Sequence, residues 1–196
     1  MKWGRDDWDS EDDAGRDADE ATILAAARVD LRAFAPLYDR YYDPIFGFCL
    51  RRLRDREVAA DATSQTFAQA MAALGSFRGG SFQGWLFAIA RNAVIDVVRH
   101  QRPGLGLDAA GAVPDTGRPP DEQAIQAERH ARLLTAIARL TPDQRNVVEL
   151  RLAGLAGREI AEVLGLTIGA VQSSQFRAYR TLRRMLSDDP TFGEIE

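Results

Sequence analysis

Cysteine occurs once in this chain, lysine once and histidine twice. Cys49 stands between Phe48 and Leu50 with no second thiol, so an internal disulfide is excluded and a buried thiol is expected. His100 and His130 do not fall in a metal-ligand spacing such as His-Glu-x-x-His. A zinc or histidine-based enzyme therefore finds no support, no cofactor is expected, and neither is any catalytic residue. No apolar run approaches the length of a membrane span. The first residues are polar and acidic, unlike a secretory signal. These absences lead to the expectation of a cytoplasmic protein. No stretch reads as a convincing strand, so the fold is expected to be all-α.

The composition that remains is that of a folded chain. Hydrophobic residues make up 45% and charged residues 28% of the 196 positions, enough for one ordinary domain or two small ones. The net charge of -4 speaks against nucleic acid only as an average. Residues 6–20 hold nine acidic side chains, whereas the last helical region carries Arg177, Arg180, Arg183 and Arg184. Local charge, not the total, decides affinity for DNA. Nearly all of the positive charge is arginine, which suits phosphate and base contacts.

Five segments follow from the patterning. Residues 1–19 lack apolar periodicity and read as a disordered acidic tail, either inert or an arm that modulates binding. Residues 20–102 form a first helical domain. Its helices are expected from about Asp19, over Leu31 to Leu53 with Pro44 as a bend, over Arg56 to Leu74, and over Phe82 to His100. Residues 103–121 contain Pro103, Gly104, Gly106, Gly111, Pro114, Gly117, Pro119 and Pro120 and read as a flexible linker. Residues 122–186 form a second helical domain, in which Thr141 caps a helix that begins at Pro142. Residues 187–196 are a short tail.

The strongest local signal is the run from Arg158 to Arg180, which has the spacing of a helix-turn-helix. Ala161 lets a second helix cross closely, Gly165 permits the sharp turn, Thr167 caps the next helix, and Val171 points inward. Ile160, Leu164 and Leu166 are expected to add apolar contacts. The second helix then presents Gln172, Ser173, Gln175, Phe176, Arg177 and Arg180. Such a helix enters the major groove, where glutamine pairs with adenine and arginine with guanine or phosphate. An ordinary amphipathic helix pair would not require this joint spacing. Repressors and response regulators share the motif, however, so the first half must decide.

That half resembles the extracytoplasmic-function sigma factors of bacterial RNA polymerase. Phe34-Ala-Pro-Leu-Tyr-Asp-Arg-Tyr-Tyr42 is similar to the opening helix of the family, Asp61-Ala-Thr-Ser-Gln-Thr-Phe67 to its polymerase-contacting helix, and Trp85-Leu-Phe-Ala-Ile-Ala-Arg-Asn-Ala-Val-Ile-Asp-Val-Val-Arg99 to its Trp-Leu-x-x-Ile-Ala-Arg-Asn segment. Leu140-Thr-Pro-Asp-Gln-Arg145 and the helix-turn-helix match the second domain, and the resemblance covers about residues 31–186. It implies a factor that binds core RNA polymerase and directs promoter recognition, opening and initiation. The first domain would open the minus-ten element, the second would read the minus-thirty-five element, and an anti-sigma factor or another regulator would restrain the free protein.

Promoter opening needs a surface that holds unpaired bases and their backbone, not a nucleophile. The loop 76–84 and the helix after it supply Arg78, Ser81, Phe82, Trp85, Arg91, Asn92, Asp96, Arg99 and Arg102; for Trp85 plain core packing is the simpler reading. Thr167 joins the recognition-helix set, and Glu57, Asp61, Ser64 and Gln65 are the expected polymerase contacts. Ala60 and Gln65 stand where relatives often carry acids; either Asp61 and Gln65 suffice as they are, the simpler reading, or phosphorylation of Thr63 restores charge. Gln172 stands where lysine is frequent and Ser174 where arginine or an apolar residue is frequent, which implies fewer phosphate contacts. The competing readings are a helix-turn-helix regulator that acts without polymerase and an interaction module that has lost promoter function.

Overall fold

The computed structural model describes residues 12–101 and 120–187, and all regular structure among them is helical. The order is α1 (Asp12–Ala27), a 3₁₀ turn (Leu31–Phe34), α2 (Ala35–Leu53), α3 (Arg56–Ala73), a second 3₁₀ turn (Leu74–Ser76), α4 (Phe82–Gln101), α5 (Pro120–Ala138), α6 (Pro142–Leu152), α7 (Gly157–Leu164) and α8 (Ile168–Ser187). The expected helices all form. None among the described residues is long and apolar enough to cross a membrane.

Short-range chemistry sets most boundaries. Asp55 Oδ1 accepts the backbone N–H groups of Glu57 and Val58 at 2.9 and 3.0 Å and so starts α3. Arg54, at φ 56°, turns the chain out of α2 and donates its N–H to the Leu50 carbonyl. Thr141 and Gln144 satisfy each other's backbone N–H groups at the start of α6. Pro44 lies inside α2 without ending it. Helix α1 begins at Asp12, so the backbone of residues 12–19, expected as part of the tail, is helical. Acidic residues suit the positive end of a helix dipole, and the alanines that follow have the highest helix propensity. Residues 1–11, most of the linker and residues 188–196 lie outside the described residues.

The core of the first half lies where α2, α3 and α4 meet. Leu37, Ile45, Phe48, Phe67, Leu86 and Phe87 are fully buried there, each worth about 1.5–3 kcal/mol relative to exposure. In the second half Val147, Leu150, Leu155, Ile160 and Val171 play the same part. The two sets belong to one continuous apolar cluster, because α7 packs on α4 and α6 approaches α2. The halves are therefore in contact, with the linker outside the described residues.

Candidate nucleic-acid interface

The helix-turn-helix forms as its spacing requires. Gly165 ends α7 at φ 65°, and the next N–H, from Leu166, reaches back to the Ala161 carbonyl at 2.9 Å. Thr167 Oγ1 accepts the Ala170 N–H at 3.2 Å and caps α8. Ile160, Ala161 and Val171 are buried between the helices, while Leu166 is 41% exposed and contributes less to the contact than its apolar character implies. Gln172, Ser173, Phe176, Arg177 and Arg180 all face outward, as does Thr167, and Gln175 is half-buried. The Arg180 guanidinium lies 6.0 Å from the Phe176 ring centre. Ser174 is buried, so its departure from the family pattern removes no phosphate contact: the position faces the core.

The loop between α3 and α4 is shaped by two glycines in the left-handed region, Gly79 at φ 101° and Gly80 at φ 87°. Phe77, Phe82 and Trp85 anchor it, with ring centres 5.2–5.9 Å apart. Phe82 does not fit its expected role at the DNA surface. It is 2% exposed and packs edge-on against Phe34 and Tyr41 from the preceding elements. Trp85 is partly buried against the same cluster, the simpler of its two readings. Arg78 is exposed at the loop tip, and Arg28 of α1 donates to the Phe77 carbonyl at 2.6 Å, which fixes the loop from outside. A groove of about 440 Å³ runs between α1 and this loop, lined by Leu24, Ala25, Arg28, Phe77 and Arg78 among others. Arg28 was not legible as a site residue, because nothing local connects it with Phe77.

Along α4 the side chains of Asn92, Asp96 and Arg99 recur at helical spacing on the exposed face, with Arg91 half-buried beside them. Arg102 lies outside the described residues. On α3 the residues Glu57, Asp61, Ser64 and Gln65 form one exposed stripe. The opposite side of that helix is closed. Thr63 is fully buried and donates to the Ala59 carbonyl at 2.7 Å, so no kinase could reach it without unfolding the helix. Phosphorylation of Thr63 is thereby set aside.

Cys49 is buried, and burial pushes its thiol up to about 11, against smaller opposing effects of Thr63 and Arg51. Among the described residues no group of three or more His, Cys, Asp or Glu side chains is placed to hold a metal ion.

A cluster of charges that the sequence did not reveal joins the halves. Glu149 of α6 is 2% exposed and forms an ion pair with Arg52 at the end of α2. Arg52 also donates to Asn146, and Arg145 stands 3.8 Å from the other Glu149 oxygen. Burial pushes the Glu149 carboxyl up from its ordinary range, while Arg52, Arg145 and Arg51 oppose that shift. A second tie lies at the start of α4, where Ser81 donates to the Glu159 carboxylate of α7 and Gln83 donates to the Ala153 carbonyl at 3.4 Å.

Comparison with known proteins agrees with this arrangement. The family model for sigma-70 region 2 matches residues 37–103, and that for sigma-70 region 4 matches residues 130–182. The chain is 37% identical to the ECF RNA polymerase sigma factor BldN of Streptomyces coelicolor, over 88% of its own length and 69% of that protein. Against the RNA polymerase sigma factor CarQ of Myxococcus xanthus the identity is 34%, over 80% and 90%. Among solved structures, CnrH in complex with the cytosolic domain of CnrY superposes with a TM-score of 0.66 at 25% identity, covering 86% of this chain and 97% of that one. The sigma factor RpoE of Bartonella quintana, solved with the anti-sigma factor NepR, shares the fold, with a TM-score of 0.63 at 22% identity over 80% and 98%. The chain belongs to the extracytoplasmic-function (ECF) family of RNA polymerase sigma factors.

Proposed function

We propose that this protein binds core RNA polymerase in the cytoplasm and directs promoter recognition, promoter opening and transcription initiation, while the polymerase supplies all bond-making chemistry. The observation that carries the reading is the presence, in one chain, of a region 2 match and a region 4 match whose α8 exposes Gln172, Ser173, Arg177 and Arg180. In this reading residues 20–102 serve the polymerase and the minus-ten element, residues 122–186 read the minus-thirty-five element, and residues 103–121 tether them.

The roles divide by surface. The α3 stripe of Glu57, Asp61, Ser64 and Gln65 is the polymerase contact. Arg78, Ser81, Asn92, Asp96 and Arg99, with Arg91 and Arg102, form the face for unpaired DNA, where positive charge follows the backbone. Trp85 and Phe82 shape that face from beneath. On α8, glutamine and arginine meet base edges and phosphates in the major groove. RpoE of Bartonella quintana is solved with the anti-sigma factor NepR, and an anti-sigma factor or similar regulator is the partner we infer here.

Run-off transcription with purified chain and core polymerase tests the function. Specific transcripts that depend on the chain are expected, and Asp61→Arg should reduce polymerase binding at least tenfold while leaving the circular dichroism unchanged. Tight duplex binding with no polymerase association would instead identify a regulator that acts alone.

A further inference from the structure

The loop assigned above to the minus-ten element has little to hold it in place from within. Gly79 and Gly80 lie in the left-handed region, and nothing stands within 4 Å of where a Cβ would be at either. Glycine gives up more conformational freedom on ordering than any other residue. The loop's own hydrogen bonds are short in range. Ser76 Oγ donates to the Ala73 carbonyl at 2.7 Å, the Phe77 N–H to the Leu74 carbonyl at 3.2 Å, and Arg78 to the Gly75 carbonyl at 3.4 Å.

Arg28 reaches this loop from 49 residues away. It follows the last residue of α1, and its guanidinium donates to the Phe77 carbonyl at 2.6 Å. Its own backbone is fixed on both sides. The Leu24 carbonyl takes its N–H at 3.1 Å, and Asp30 caps the next turn by accepting the Arg32 N–H at 3.0 Å. Helix α1 is in turn fastened to α2. Leu24 and Ala27 are buried, and the Glu20 carboxylate, 3% exposed, accepts from both Tyr41 and Arg40. A cation also suits that end of α1, where the helix dipole is negative. Helix α1 is therefore a strut from the body of the first half to the loop, with Arg28 at its tip. On the loop's inner side the Phe77 ring lies 5.2 Å from Trp85 and 5.9 Å from Phe82 at the head of α4. Holding Phe77 from both sides fixes the start of the segment that carries Arg78 and Ser81.

We propose that Arg28 is a positioning residue for promoter opening. It meets neither base nor phosphate. It holds the Phe77 carbonyl, so that the loop already has its base-holding conformation before the strands separate. A surface that is competent only part of the time acts as if diluted by that fraction, and one ordered in advance avoids the cost at the moment of binding. The inference rests on the function proposed above.

Two measurements test it. The first is made on the free chain and needs no promoter. Trp3→Phe/Trp8→Phe leaves Trp85, which packs on Phe77, as the one tryptophan. In that background Arg28→Met keeps the length and apolar stem of the side chain and removes the donor. Acrylamide quenching of Trp85 should rise by about half or more as the loop opens locally. Circular dichroism and the melting midpoint should stay those of the parent, because Arg28 is exposed.

The second uses the full chain bound to core polymerase, at a promoter that gives a run-off transcript. Permanganate reactivity of unpaired thymines, followed in time over a range of polymerase concentrations, separates the opening rate from initial binding. Arg28→Met should slow opening about fivefold or more and leave the half-saturating concentration and its salt dependence unchanged. A residue that only stabilised the fold would lower the melting midpoint and initial binding as well. Opening at the parent's rate overturns the proposal, as does unchanged quenching of Trp85. So does a salt slope that falls by about 0.7–0.9, since Arg28 would then be a phosphate contact. A parent chain inactive with core polymerase would count against the function proposed above, while the quenching of Trp85 still reads whether Arg28 holds the loop.

Discussion

Arg52, near the end of α2, closes an ion pair onto Glu149, a carboxylate in α6 that is 2% exposed. Neither residue lies in the surfaces assigned to DNA or polymerase, yet together they join the halves of the molecule. Removing one partner of a buried pair typically costs about 3–5 kcal/mol, because the other charge is left without compensation. Here Arg145 and Arg51 remain near Glu149, so Arg52→Ala should cost less than that range. Urea denaturation of Arg52→Ala, Glu149→Gln and the double variant should give a coupling energy of about 0.5–3 kcal/mol. A coupling indistinguishable from zero would mean that the pair contributes no net attraction.

A charge introduced at Thr63 should damage the fold rather than strengthen polymerase binding. The side chain is fully buried and its hydroxyl already serves the Ala59 carbonyl. Thr63→Glu places an unpaired carboxylate there and should destabilise the first half by several kcal/mol. Thr63→Val should be much milder, since the Ala59 carbonyl lies in a helix. Thermal melting of the two variants separates the outcomes, and a Thr63→Glu protein as stable as the parent would contradict the burial.

Cys49 should be inert in the folded protein. Burial raises its thiol to about 11 from an ordinary 9.0. A group raised in the folded state contributes stability that is fully present below the unfolded value and is lost as pH rises through the folded one. The Cys49 contribution should therefore decline between about pH 9 and 11 and be constant below that window. Ellman's reagent at pH 8 should react in urea and only slowly in buffer; rapid reaction in buffer would show the thiol to be accessible.

On α8, Arg177→Ala and Arg180→Ala test which exposed cations meet phosphate. Each lost phosphate contact should lower the slope of log affinity against log salt by about 0.9. Gln172→Ala should instead change the preferred base at one position, worth about 1–3 kcal/mol of discrimination where the contact is bidentate. Fluorescence anisotropy with minus-thirty-five duplexes, over a salt series, reads both effects. An unchanged slope in the double arginine variant would remove these residues from the DNA contact.

The helix-turn-helix was legible before any coordinates because its information is local. Ala161, Gly165, Thr167 and Val171 act on neighbours within one turn of chain, and residue type at fixed spacing specifies what each does. The polar face of α4 was legible for the same reason, since helical periodicity places Asn92, Asp96 and Arg99 on a common face, whereas Glu57 and Asp61 on α3 were singled out by resemblance to the family. The start of α1 was not, because an acidic segment without apolar periodicity reads as disorder even when its alanines favour a helix. Phe82 was misplaced because its partners, Phe34 and Tyr41, lie far away along the chain.

The sequence by itself thus determined an all-α chain of two helical units, the approximate boundaries of every helix but the first and the outward face of α8, all consequences of local dihedral preference and apolar period. Only the tertiary structure decided that Phe82 and Thr63 belong to the interior and that Ser81 answers to Glu159 and Arg52 to Glu149. Those pairings join positions with no fixed spacing between them, and they exist because folding removes both partners from water, where a charge or hydroxyl must find whichever complement the packed chain brings within reach.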